Sequence, residues 1–317
     1  MVLANIAEMM IILEFKYNYK LIKSRCLNFN SLIILFLFLN ILIGCVKKEN
    51  SLTLVSDPIS TFFSEEVLPD ITSPCFNGSY YRKAMSSQDV WLGITGTVIL
   101  PSIYFDPARI NPSNTAQYLD NPSVYLGGTA NGQETDIGMT WEVIIDANGN
   151  VTPDRRAFRP FLRRSAYPLT NQVAIYTNAP AQANYYWYQG DTVTMSVMVT
   201  SNGIIHFIVK GEGKQYECDF SADGYQLSSP MIFKRVNAID QVSNEGKPVQ
   251  PTKTKVTGSK WLCTYLYRMY NGSIVKAPMH QTRFTDMRCP DPKYFIISTT
   301  VDQDKVGGES IVIDGGR

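Results

Sequence analysis

The chain has 317 residues, is 44% hydrophobic and 12% aromatic, and sets 29 Lys and Arg against 28 Asp and Glu, a net charge of +1. That neutrality excludes the electrostatic footprint of a protein that binds nucleic acid or adheres broadly to anionic surfaces. Two histidines and no Cys-x-x-Cys pair leave nothing to build a structural zinc site, and no sequence motif calls for a cofactor.

The first element lies near the start. Lys20, Lys23 and Arg25 precede an apolar run from Leu32 to Leu39, which continues through Ile41 to Leu42-Ile43-Gly44-Cys45. A basic segment, a short apolar core and a small residue before the cut are the parts of a secretory signal. The 13 residues Leu32–Gly44 fall short of the ~20 needed to cross a bilayer, which argues against an uncleaved anchor. Residues 1–20 are long for the basic segment, so either the start is assigned too early or the segment is extended. Leu42–Cys45 resembles the lipobox of bacterial lipoproteins. The resemblance implies that residues 1–44 are a signal peptide, that Cys45 takes a diacylglyceryl group, and that the protein sits lipid-anchored on the extracytoplasmic face of the cell membrane.

From Cys45 onward the chain keeps 25 basic and 26 acidic residues, a net of −1. Residues 45–70 begin Val46-Lys47-Lys48-Glu49-Asn50 and read as a tether. Residues 71–317 suit one β domain, since sandwiches and barrels often run to ~250 residues. In an oxidising compartment Cys75, Cys218, Cys263 and Cys289 allow two disulfides in three connectivities; buried free thiols are the alternative.

After Cys75 the patterning is that of strands. Val90–Leu100 alternates around Trp91, Ile94 and Val98; Ser123–Gly127 and Met139–Ile145 follow, the latter stopped by a turn at Asn148-Gly149. Thr192–Thr200 alternates cleanly, turns at Ser201-Asn202-Gly203 and returns as Ile204–Val209. Tyr216–Phe220, Met231–Val236, Lys253–Thr257, Trp261–Arg268, Tyr294–Thr300 and Ser310–Ile313 complete the series, and Val236–Val242 reads as one helical turn. Many short strands separated by turn residues predict an all-β fold closed on itself or built from two sheets.

One order of motifs narrows this. Asp136-Ile137-Gly138-Met139-Thr140-Trp141 is followed by Phe158-Arg159-Pro160-Phe161-Leu162, then Gly190-Asp191-Thr192-Val193, then Met231-Ile232-Phe233-Lys234-Arg235. The order resembles that of the glutamic peptidases, or eqolisins, over roughly residues 124–257. It implies a concanavalin-like antiparallel β-sandwich, a jelly roll. Those enzymes activate water with a glutamine and a glutamate. Here Asp136 stands at the glutamine, and near the glutamate stand Phe233-Lys234-Arg235-Val236, with no carboxylate before Asp240. The catalytic pair is not retained; Asp136 with a second carboxylate, Asp240 being the candidate, offers a substitute acid–base pair, which needs both on one face and a raised pKa on one of them.

The candidate ligand-binding residues follow from alternation. Asp136 and Thr140 share one strand face, with Trp141 on the other as a core anchor. Tyr185-Tyr186-Trp187-Tyr188 cannot all face a core if extended, so Tyr186 and Tyr188 are assigned as aromatic walls. Lys234, Asn237 and Asp240 line the end of an apolar strand. Arg155, Arg156, Arg159, Arg163 and Arg164 form the dense basic patch, read either as a solvated loop or as a carboxylate reader. His206 lacks a second histidine or a cysteine nearby and is read as a surface residue. These features favour a non-catalytic recognition domain for carbohydrate or extended peptide, against a hydrolase on the same fold or a structural envelope protein.

Overall fold

The computed structural model describes residues 57–70, 74–113, 115, 117–142 and 157–317. The signal, the lipobox with Cys45, the turn at Asn148-Gly149, and Arg155 and Arg156 lie outside the described residues. Among these residues the chain is almost wholly strand, arranged as two antiparallel sheets face to face. No helix among them is long and apolar enough to cross a membrane.

One sheet runs β15 (Phe284–Cys289), β1 (Ser79–Ser86), β12 (Met231–Gln241), β4 (Asp120–Ala130), β5 (Gln133–Glu142), β6 (Ala157–Arg164) and β7 (Ile175–Asn178), with β8 (Trp187–Tyr188) also on β6. The other runs β11 (Lys214–Ser221), β10 (Ile204–Gly211), β9 (Thr192–Ser201), β2 (Trp91–Ile99), β13 (Lys255–Tyr270), β17 (Glu309–Asp314) and β16 (Phe295–Ser298). In this second sheet β3 (Ser102–Tyr104) and β14 (Ser273–Pro278) also pair with β13. The antiparallel sandwich expected from the sequence is the fold.

Alternation places the core. Ile94, Val98, Val193, Met195, Val197, Ile205, Phe207 and Val209 of the second sheet meet Leu126, Ile137, Met139, Phe158 and Phe233 of the first. The β9–β10 hairpin turns at Asn202-Gly203 as predicted, with Gly203 at φ +76°. Trp141 packs edge-on to Phe105 and Phe158, the core role assigned to it.

Three expectations change. Val236–Val242 is not a helical turn: β12 continues to Gln241 because β1 and β4 pair with it on both sides. Lys253–Thr257 and Trp261–Arg268 belong to one strand, β13, whose register shifts between Val256 and Ser259 around Gly258 at φ +74°. Residues 57–70, read as tether, lie against the sandwich. The buried Arg283 guanidinium donates to the carbonyls of Ile59, Ser60 and Thr61 and pairs with the Glu66 carboxylate at 3.0 Å, and Val67 bridges to Gln88. Of the four cysteines, Cys75 and Cys289 form a disulfide and Cys218 and Cys263 are free.

Between the sheets lies a buried polar knot. Glu309 on β17 accepts from Arg82 of β1 at 2.9 Å and from Arg235 of β12, while Arg235 also reaches Thr264 Oγ1 at 2.7 Å. Asn237 belongs to the same layer: it donates to Ser259 at 2.7 Å and accepts from the Trp261 indole at 2.8 Å. A carboxylate shared by two buried guanidiniums is costly to break, because Arg235 stays behind without an anion while Arg82 keeps only Asp286, at 3.1 Å. Glu309→Gln should therefore destabilise the protein by on the order of 3 kcal/mol in urea unfolding; a loss below ~1 kcal/mol would show that the knot is not needed.

Candidate functional site: the outer face of the β1–β12–β4–β5–β6 sheet

On the face turned away from the core, the ladders set side chains in rows. One row reads Met85, Lys234, Gly127, Asp136, Arg163 and Tyr176 across β1, β12, β4, β5, β6 and β7. The next reads Lys83, Val236, Tyr125, Gly138 and Phe161, and the third Tyr81, Ala238, Ser123, Thr140 and Arg159.

Lys234 and Asp136 stand two strands apart, about 9.6 Å at ordinary strand spacing. They nevertheless meet, Nζ to Oδ1 at 2.6 Å, because the residue between them is Gly127. A Cβ on Gly127 would lie 2.1 Å from the Thr135 carbonyl oxygen. Lys234 also contacts Glu134 at 2.5 Å, and Arg163 contacts Asp136 at 2.9 Å and Glu245 at 3.6 Å. Glu245 is exposed and Glu134 and Arg163 partly so; Lys234 is buried beneath them and Asp136 largely so.

The electrostatics follow. Burial works against the Asp136 charge, but Lys234 and Arg163 outweigh it and hold the carboxyl below its usual range. Burial likewise opposes the Lys234 ammonium, and Asp136 and Glu134 reverse it, raising that group. Asp240 goes the other way: burial pushes it up, aided by Asp136, although the Ser79 and Ser123 hydroxyls each donate to it at 2.7 Å. Asp136 and Asp240 thus share one face and are driven in opposite directions.

Aromatic residues flank the ion cluster. Tyr125 lies over Gly138, where a Cβ would come within 2.5 Å of the tyrosine Cα. Its ring meets Phe161 edge-on at 5.7 Å, and Phe161 stacks on Tyr176 at 5.9 Å. Tyr176 is 57% exposed, so the row ends in an accessible ring. Toward β15, Tyr81, Val236, Ala238, Met287 and Cys289 form a small apolar cluster. Beside it, the disulfide holds residues 74–76, and the Phe76 amide donates to Tyr81 Oη at 2.8 Å.

Of the predicted residues, Asp136, Thr140, Lys234 and Asp240 come together on this face, and Thr140 accepts from Asn121 at 3.1 Å. Asn237 does not: strand parity points it between the sheets, into the knot described above. Tyr186 and Tyr188 do not flank Asp136 as assigned. Their run breaks into a single turn and the short β8, whose Trp187 fills the core and donates to the Gly211 carbonyl at 3.0 Å. Lys214 of β11 donates to the Tyr186 carbonyl at 2.7 Å and lies 5.2 Å from the Tyr188 ring. Of the arginine patch, Arg159, Arg163 and Arg164 lie on strand β6: Arg163 faces the site, while Arg164 is buried against the Ser221 and Val173 carbonyls. His206 pairs with Asp219 at 2.6 Å on the surface of the other sheet.

The sequence singles out Arg163 only as part of the arginine patch, and does not single out Glu134, Tyr125, Tyr176 or Lys83. Glu134 is two positions before Asp136, so strand alternation alone would have added it. Among the described residues no three metal-ligating side chains cluster. A hollow of about 250 Å³ beside the Gly258 bulge, lined by Lys260, Ile296 and Ser310, lies on the other sheet and offers one charged group.

No protein family matches the chain, and no curated protein matches it. Among solved structures it is similar to scytalido-glutamic peptidase bound to a transition-state analogue inhibitor, at 12% identity and a TM-score of 0.45 over 74% of this chain and 97% of that one. It is also similar to SCP-B, an eqolisin peptidase in complex with the tripeptide Ala-Ile-His, at 13% identity and a TM-score of 0.39 over 74% and 97%. A third is the catalytic domain of an endo-1,3-beta-glucanase from Thermotoga petrophila RKU-1, at 12% identity and a TM-score of 0.29 over 60% and 75%.

A carboxyl whose folded pKa is depressed adds stability that is complete above its unfolded value, near ~4, and is lost as pH falls through the folded value. Asp136→Asn should therefore cost on the order of 3 kcal/mol at neutral pH, where it leaves Lys234 with Glu134 alone. It should also flatten the decline in stability below pH ~4. Denaturant unfolding across pH 2–7 measures both; an acid limb identical to wild type would refute the coupling.

Proposed function

We propose that the chain is a lipid-anchored lipoprotein of the extracytoplasmic membrane face whose sandwich binds an extended carbohydrate on this outer face, without turning it over. The carrying observation is the exposed Tyr176 ring at the edge of a row that also presents Arg163 and Asp136, with Glu134 one row beyond. Sugar rings stack on aromatic faces, and fixed charged groups beside the ring orient hydroxyls. The ion pairing supports binding over catalysis: Asp136 is neutralised by two cations and is a weak base, and both Asp240 oxygens accept from serine hydroxyls. The lipid anchor at Cys45 rests on the lipobox resemblance.

A second reading is a hydrolase with Asp136 and Asp240 as the acid–base pair. The opposite directions in which those two carboxyls are driven favour it. Turnover that survives both Asp136→Asn and Asp240→Asn would remove that reading.

Binding of the detergent-solubilised full chain to a glycan array, with chelator present, should give saturable hits in one sugar class. Tyr176→Ala should weaken them by ~1 kcal/mol, about fivefold. Silence across the array from a folded sample would overturn the carbohydrate reading. Separately, Cys45→Ala should release the protein from the membrane fraction and abolish the mass increment of a diacylglyceryl group; unchanged partitioning would refute the anchor.

A further inference from the structure

The cations and anions of the site do not cancel evenly. Asp136 and Glu134 both contact Lys234, and Arg163 takes the remaining reach of Asp136 and touches Glu245. Lys83 stands in the next row on β1, opposite Val236 on one side and Met287 on the other. Its ammonium lies 5.7 Å from the Tyr81 ring and makes no hydrogen bond or ion pair with any described residue. The charges that act on it are Lys234, which repels it, and Glu134 and Asp136, which are already engaged. Its ladder neighbours on this face, Val236, Met287, Met85 and Tyr81, bring no anion.

A half-buried ammonium without an anion is costly, and its cost is recovered when a ligand brings one. Burial and the Lys234 charge lower its affinity for a proton, which is the same cost expressed in the empty protein. Lys83 shares its row with Tyr125 and Phe161, and the accessible Tyr176 closes the far end of the neighbouring row. From β7 to β1 is five strand spacings, about 24 Å. A glycan laid across the strands from the Tyr176 ring therefore runs past Arg163 and reaches Lys83.

We propose that the carbohydrate bound on this face is acidic, and that Lys83 reads a carboxylate on one of its sugars. The inference rests on the carbohydrate reading of the same face and adds the ligand's chemical class. It differs from the expectation placed on the arginine patch, whose Arg159, Arg163 and Arg164 strand β6 divides between the two faces of the sheet.

The test uses the detergent-solubilised full chain and carboxylate-bearing glycans, among them oligogalacturonate, glucuronate-containing oligomers and sialylated oligosaccharides. Each is paired with its counterpart in which the carboxyl is reduced to a hydroxymethyl group. Wild type should bind at least one acidic member about tenfold more tightly than its reduced counterpart. Lys83→Met should erase that preference and shallow its salt dependence, while Lys83→Arg keeps most of it. Thermal stability of Lys83→Met equal to or above that of wild type would tie the loss to the ligand. Equal binding of acidic and reduced forms, or a preference that survives Lys83→Met, overturns the inference and leaves the carbohydrate reading intact. Binding to no glycan overturns both, and capture of acidic peptides instead would transfer the face to another class of ligand.

Discussion

The site depends on a missing side chain. Two residues on non-adjacent strands of a sheet are normally separated by whatever the intervening strand presents. Gly127 presents nothing, and Lys234 of β12 and Asp136 of β5 close the gap in an ion contact of 2.6 Å. Gly138 does the same for Tyr125 one row away. These two glycines turn a sheet surface into a floor with a charged half and an aromatic half. Any side chain at Gly127 would meet backbone, so the floor is fixed by the ladder rather than by the rotamers that happen to decorate it.

The two faces of the sheet use charge differently. Between the sheets, Arg82 and Arg235 share Glu309 in a closed arrangement with both guanidiniums almost wholly buried. On the outer face, the pairing of Lys234 and Asp136 opens outward to the partly exposed Glu134 and Arg163 and the exposed Glu245. The first arrangement joins the two layers; the second keeps its outer members in contact with solvent. Strand parity decides which arginine or lysine joins which network, and adjacent residues of β12, Lys234 and Arg235, fall on opposite sides of that division.

Much of this was legible in the sequence. Alternation over Thr192–Thr200 and Ile204–Val209 gave a hairpin that stands as read, and the shared face of Asp136 and Thr140 followed from spacing alone. The errors have physical causes. β1 escaped notice because its inward face carries Arg82 among Tyr80 and Ala84, so its hydrophobic period is broken by a charge that only the partner sheet neutralises. With β1 unseen, Lys83 was invisible too. Asn237 joins Lys234 and Asp240 in the sequence by its place at the end of an apolar strand, but odd spacing from those two turns it inward, to Ser259 and Trp261. The aromatic run Tyr185–Tyr188 attracted attention through composition, whereas the ring exposed beside the ion cluster, Tyr176, sits in a four-residue strand with no pattern of its own.

The order of strands also has a temporal side. In the first sheet β12 joins β1 to β4, and in the second β13 joins β2 to β17. Both joining strands lie beyond residue 230, more than a hundred residues after the strands β1, β2 and β4 they connect. A nascent chain that has emerged only to residue 230 holds β2, β9, β10 and β11 as one ladder and β4 to β7 as another, but β1 has no partner and the second sheet stops at β2. Closure must wait for the last third of the polypeptide, and contacts of such long separation make folding slow. Until then the apolar inner faces of the early hairpins are uncovered, and they are the surfaces a chaperone would meet during synthesis.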